Sequence, residues 1–112
     1  MGLQLPAIRP DKLEQELDYV NGIIHDWESK SIPMFIKLYR RIDGELQKRI
    51  LHAYNVYVEN MGDSWVSIRF YRPDQPSQFE YTQGGCVHNI IYSEKSIKFV
   101  DTKENLHIIS IE

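Results

Sequence analysis

The sequence has little of what usually announces chemistry. Cys86 is the only cysteine in 112 residues, so no intrachain disulfide can form, which fits a reducing, cytoplasmic setting. No apolar run approaches the roughly 18 residues that suggest a membrane-spanning helix. The opening MGLQLPAIRP lacks a charged stretch followed by an apolar one, so no signal peptide is expected. Position 6 is proline rather than Ser or Thr, which argues against myristoylation at Gly2. A basic excess is missing too. Lys and Arg number 13 against 16 Asp and Glu, a formal net charge of −3. That excludes general coating of nucleic acid but not a local basic stripe.

Catalytic sets are equally thin. Cys86 and His88 share one face of an expected strand, yet no second pair lies nearby, and zinc usually takes three or four protein ligands. Nothing local activates the Cys86 thiol, which reads as a small core residue. The carboxylates are scattered from Asp11 to Asp63, with no pair forced into general acid–base geometry. Gly84-Gly85 has no following helix or lysine, so it reads as a tight turn tolerating positive φ rather than a phosphate loop. No metal, cofactor or enzymatic activity is expected.

What is present is amphipathic periodicity. The length suits one domain spanning residues 1–112. Leu3, Leu5 and Ile8 belong to a proline-punctuated lead-in expected to lie extended against the body. Asp11 resembles an N-cap with Glu14 as its capping-box partner. Leu13, Leu17, Val20, Ile24 and Trp27 then follow at helical spacing, predicting a helix over about 11–27. Asn21-Gly22 is a weak point within it. Pro33 suits a first helical turn. Phe35, Tyr39, Ile42, Leu46, Ile50, Ala53 and Tyr57 keep the helical step, predicting a second helix over about 33–60, kinked or broken at Gly44. A competing reading makes Tyr54–Val58 a strand with Met61-Gly62-Asp63 as its turn.

From position 64 the period becomes two. Val66, Ile68 and Phe70 alternate with Trp65, Arg69 and Tyr71. Phe79 and Tyr81 begin a second strand, and further strands are expected over about 87–92, 97–100 and 106–111. The fold class is therefore α+β: an N-terminal helical hairpin packed on a C-terminal antiparallel five-stranded meander, or on a small Sm/SH3-like barrel.

Two groups of residues are candidate binding sites. Lys37, Arg40, Arg41, Lys48, Arg49 and His52 form a basic stripe suited to phosphates or an acidic partner, or simply a solvated face. Trp65, Arg69 and Tyr71 share a strand face of the kind used in partner hot spots and base stacking, or a seam beneath the helices.

In the order of its features the chain resembles the YolD-like family of small bacterial and phage proteins. The resemblance runs from Leu5-Pro6 and the Leu13/Leu17 helix, through Asp43-Gly44-Glu45-Leu46 to Ala53 and Val66–Tyr71, to the terminal strands Gly85–Ile91, Ile97–Phe99 and Leu106–Ile111. The family's N-terminal Arg-Gly and Lys-Trp motif is missing, and Pro6-Ala7 stands where Pro-Glu is usual. The resemblance implies a non-enzymatic accessory protein. It would serve a Y-family translesion DNA polymerase in the SOS response, with the partner surface on the second helix or the outer barrel face. The functional expectation is a protein-binding accessory or regulatory protein, plausible in DNA repair or a phage context. The alternative is a small-barrel nucleic-acid binder using the basic stripe.

Overall fold

The computed structural model describes residues 4–112, so the expectations for Gly2 and Leu3 lie outside the described residues. Helix α1 spans Pro10–Ser29, and Leu13, Leu17, Val20, Ile24 and Trp27 form its buried stripe. Its start differs from the expected capping box. Arg9 is the extended N-cap, no side chain caps the helix, and Pro10 opens the first turn. Asp11 lies inside that turn and pairs with Arg9 at 2.8 Å on the surface. The chain leaves the helix after the Lys30 C-cap through Ser31, where φ is 56°, with the Ile32 N–H returning to the Trp27 carbonyl. Upstream, the half-buried Leu5 and Ile8 lie along the body, their N–H groups donating to the carbonyls of Thr102 and Val87.

No second helix follows. Residues 34–62 form two strands, β1 (Met34–Ile42) and β2 (Glu45–Gly62), joined at Asp43-Gly44. Both turn residues have positive φ, 52° and 79°, the two-residue turn that matches strand twist. The helical step that suggests one long helix picks mainly outward residues, with Leu46, Ile50 and Tyr57 exposed, although it also includes the buried Ala53. The buried set is Met34, Ile36, Leu38, Ala53, Val56 and Val58, at strand spacing apart from the step across Asn55.

Strand β2 serves two ladders. Residues 45–53 pair with β1, and Tyr54–Gly62 pair with β3 (Trp65–Arg72). Asn55, at φ 49°, sits where the register slips between Tyr54 and Tyr57, an inserted residue that reverses the phase of the strand. Beyond it, Val56 and Val58 direct their amides toward the side that β1 has vacated. Helix α1 fills that side. Asn21 Nδ2 donates to the Val58 carbonyl at 3.0 Å, and Asn21 Oδ1 accepts the Val58 N–H at 2.9 Å. Glu28 Oε1 accepts the Val56 N–H at 2.6 Å. Two helical side chains thus stand in for a strand, and these buried amides are satisfied.

The chain continues through β4 (Gln75–Tyr81), β5 (Gly85–Ser93), β6 (Ser96–Asp101) and β7 (Leu106–Ile111). All seven strands form one antiparallel sheet, which replaces the expected helical hairpin and five-stranded meander. Strand β1 pairs with both β2 and β7, and the circuit β1-β2-β3-β5-β6-β7 returns to β1, with β4 attached to β3. The joint between β3 and β5 is narrow: Trp65 opposite Cys86 and Val66 opposite Gly85. Thr82 secures it by exchanging hydrogen bonds with the Ile68 backbone, while its carbonyl accepts the Ser67 hydroxyl at 2.6 Å. The core lies between the inward residues of the strands, among them Phe99, Ile109 and Ile36, and the apolar stripe of α1.

Neither Gly84 nor Gly85 has the positive φ expected of a turn. Crowding explains them instead. A side chain on Gly84 would meet the Trp65 indole and the Val66 carbonyl. One on Gly85 would lie 2.8 Å from Asp101 Oδ2.

Candidate functional site

The basic stripe is carried by the β1–β2 hairpin rather than by a helix, and strand alternation splits it. Lys37, Arg41, Lys48 and His52 share the outer face with Phe35 and Tyr39, whereas Arg40 and Arg49 lie on the other face with Leu38. His52 stacks on Phe35 with ring centroids 5.1 Å apart. The Lys48 ammonium sits 5.6 Å from the Tyr39 ring centroid. Arg40 Nη1 donates to Gln83 Oε1 at 2.5 Å.

Trp65, Arg69 and Tyr71 do share one face of β3, but only the last two join a larger cluster. Arg69 lies between Tyr57 on β2 and Tyr81 on β4. Tyr71 lies between Tyr54 and Phe79 on the same strands. The bulge at Asn55 brings both Tyr54 and Tyr57 outward. Ring centroids are 5.7 Å apart for Tyr54–Tyr71, 6.0 Å for Tyr71–Phe79 and 5.6 Å for Phe79–Tyr81. The Arg69 guanidinium is 5.2 Å from the Tyr57 centroid and 5.9 Å from that of Phe79. Glu59 holds it from the side at 3.1 Å. The rings nevertheless remain open to solvent: Tyr57 is 45% exposed, Phe79 51% and Tyr81 46%. Trp65 is separate, sitting over Gly84 and opposite Cys86.

Four of these rings escaped the sequence argument. Tyr54 and Tyr57 fall within the expected second helix, and even the competing strand over 54–58 sets residues three apart on opposite faces; the Asn55 bulge turns both outward. Phe79 and Tyr81 were placed on a strand, but nothing in one sequence says that this strand lies beside Arg69. Further acids flank the face. Arg72 pairs with Asp74 at 3.0 Å and approaches Glu80 at 3.7 Å.

The residues weighed for catalysis are not gathered. Cys86 Sγ reaches the Asp63 carbonyl at 3.5 Å, and His88 Nδ1 donates to the Pro6 carbonyl at 2.6 Å. Among the described residues no group of three or more His, Cys, Asp or Glu side chains is placed to hold a metal. One buried polar pair was not foreseen. Asp101 Oδ1 accepts the N–H groups of Lys103 and Asn105, both at 2.9 Å, and its Oδ2 lies 3.1 Å from His107 Nε2. Burial raises the Asp101 pKa, but the His107 bond and the two backbone donors outweigh it and hold the carboxyl below its ordinary value. Gly85 packs directly on this pair, which fastens the β6–β7 turn. On the helix side, burial and the neighbouring Glu16 carboxylate, 2.5 Å from the Tyr92 hydroxyl, push the Tyr92 phenol above its ordinary range.

Among the described residues no helix is long and apolar enough to cross a membrane. No family model, curated protein or solved structure matches this chain.

Proposed function

We propose that this protein is a non-catalytic binding module that holds a partner protein against the aromatic and arginine face of β2, β3 and β4. The observation that carries the reading is the contiguous set Tyr57, Arg69, Phe79 and Tyr81, rigidly paired across three strands yet half open to solvent. Large rings with few rotatable bonds around a fixed guanidinium are the composition of interface hot spots. The local charge favours a protein over a polyphosphate. Arg69 and Arg72 are matched by Glu59, Asp74 and Glu80, so among the described residues this face leaves no free positive charge to attract phosphates. In the setting that the YolD-like resemblance implies, the partner is a Y-family polymerase and the role is accessory. A second reading, nucleic-acid binding, draws on Lys37, Arg41, Lys48 and His52 sharing the outer hairpin face.

The test is capture from source lysate by tagged wild type and by the triple variant Y57A/F79A/Y81A, each with nuclease and at low and high salt. The reading expects a protein that survives nuclease and high salt with the wild type and is lost with the variant. A translesion polymerase in that role would support the family setting. Material removed by nuclease or salt, and lost on Lys37→Glu with Lys48→Glu, would overturn the reading in favour of nucleic acid.

A further inference from the structure

A second surface, independent of the aromatic face, follows from the hydrogen-bond parity of β2. At the two-residue turn, Ile42 and Glu45 form the first bonded pair, so Gln47, Arg49, Leu51 and Ala53 also bond to β1. Leu46, Lys48, Ile50 and His52 therefore turn their N–H and C=O groups to the opposite edge. That edge is the continuation of the β3 ladder, but β3 pairs no further back along β2 than Tyr54. Among the described residues no backbone group other than those of β1 bonds to 46–52, and residues 45–50 are all exposed. This is a bare strand edge.

Its surroundings specify what fits. The hairpin 34–53 carries five Lys and Arg against two Asp and Glu, leaving eight against fourteen for the rest of an acidic chain. On one side of the edge, Leu46 (62% exposed) and Ile50 (50%) offer apolar contact. On the other lies a groove lined by Leu38, Arg40, Ile42, Gln47, Arg49 and Gln83. There the buried Arg40 Nε has no hydrogen-bond partner. An added strand alternating acidic and apolar residues matches both sides at once, whereas self-pairing would bring two basic hairpins together.

We propose that the free edge of β2, Leu46–His52, is a strand-addition site for an extended acidic segment of a partner protein. Main-chain bonds supply the attachment, Arg40 and Arg49 receive the carboxylates, and Leu46 and Ile50 receive the apolar side chains.

The experiment uses the full chain and a fluorescein-labelled peptide of alternating glutamate and valine, long enough to span Leu46–His52, read by anisotropy. Three comparisons accompany it: the peptide with lysine for glutamate, the peptide N-methylated on alternate amides, and the variant Ile50→Pro. Proline at 50 removes an edge donor without touching the β1 ladder, so its thermal melt should match the wild type. Binding is expected to the glutamate peptide alone, with N-methylation or Ile50→Pro each weakening it about tenfold or more. If the proline variant does not fold, the N-methylated peptide decides. Equal binding of the N-methylated or lysine peptide, or no binding at all, would overturn the proposal. So would a wild-type dimer in sedimentation that Ile50→Pro dissociates, which would assign the edge to a second copy.

Discussion

Asn21 and Gly22 are neighbours on one helix, and the structure assigns their substitutions opposite signs. Intrinsic propensity favours alanine at both positions, by about 0.5–0.7 kcal/mol over asparagine and about 0.8–1 over glycine. Asn21, however, is the partner of both backbone groups of Val58, at 2.9 and 3.0 Å, and Val58 is only 1% exposed. Asn21→Ala leaves a buried donor and a buried acceptor unmatched, at about 1–3 kcal/mol each. The net expectation is a loss of about 1–5 kcal/mol after the propensity gain. In a domain of this size that lowers the melting temperature by about 5–25 °C. At Gly22 nothing lies within 4 Å of an added Cβ, so Gly22→Ala should stabilise by about the full propensity difference. Urea unfolding followed by far-ultraviolet circular dichroism and by fluorescence measures both. An Asn21→Ala protein as stable as wild type, or a Gly22→Ala protein equally weakened, would refute the claim that α1 substitutes for a strand beside β2.

Phe99 is fully buried, and Phe99→Ala should cost about 3–5 kcal/mol in the same unfolding assay. Asp101 has its pKa held below the ordinary value near 4, so its contribution is present above about pH 4 and is lost as the pH falls through the lower folded value. Asp101→Asn should therefore be less stable by about 1–3 kcal/mol at neutral pH, and its gap from wild type should close on acidification. Gly84→Ala drives a methyl into the Trp65 indole and the Val66 carbonyl. It should cost about 1–3 kcal/mol and shift the tryptophan emission; unchanged emission would show that the close approach is absent.

Parts of this fold were legible where one period dominates. The α1 stripe from Leu13 to Trp27 and the alternation Val66, Ile68, Phe70 each admit one reading, and both pack as read. The hairpin was misread because its strands carry apolar residues on both faces. Phe35 and Tyr39 point outward while Met34, Ile36 and Leu38 point inward, so a helical step can be threaded through the mixture. Asp43-Gly44 was the discriminating signal, a turn dipeptide between runs rich in β-formers, and it was read as a weak spot in a helix. The site was half legible for a different reason. Arg69 and Tyr71 were found on one face from alternation alone, but the rings that flank them come from β2 and β4. Only pairing register brings those together, and register is a property of the folded sheet.

The place of β1 between β2 and β7 sets the order in which the molecule can be made. Its hairpin partner is local and available as soon as Asp43-Gly44 has turned. Its other partner, Leu106–Ile111, is the last strand in the chain. Throughout synthesis of everything between, Phe35, Lys37 and Tyr39 present bare amides and β2 remains bare along Leu46–His52. The nascent hairpin thus has two adhesive edges, and only one is closed by the finished fold. Non-local closure of this kind is slow and prone to mispairing. The interval before β7 arrives is when these two bare edges are most open to mispairing.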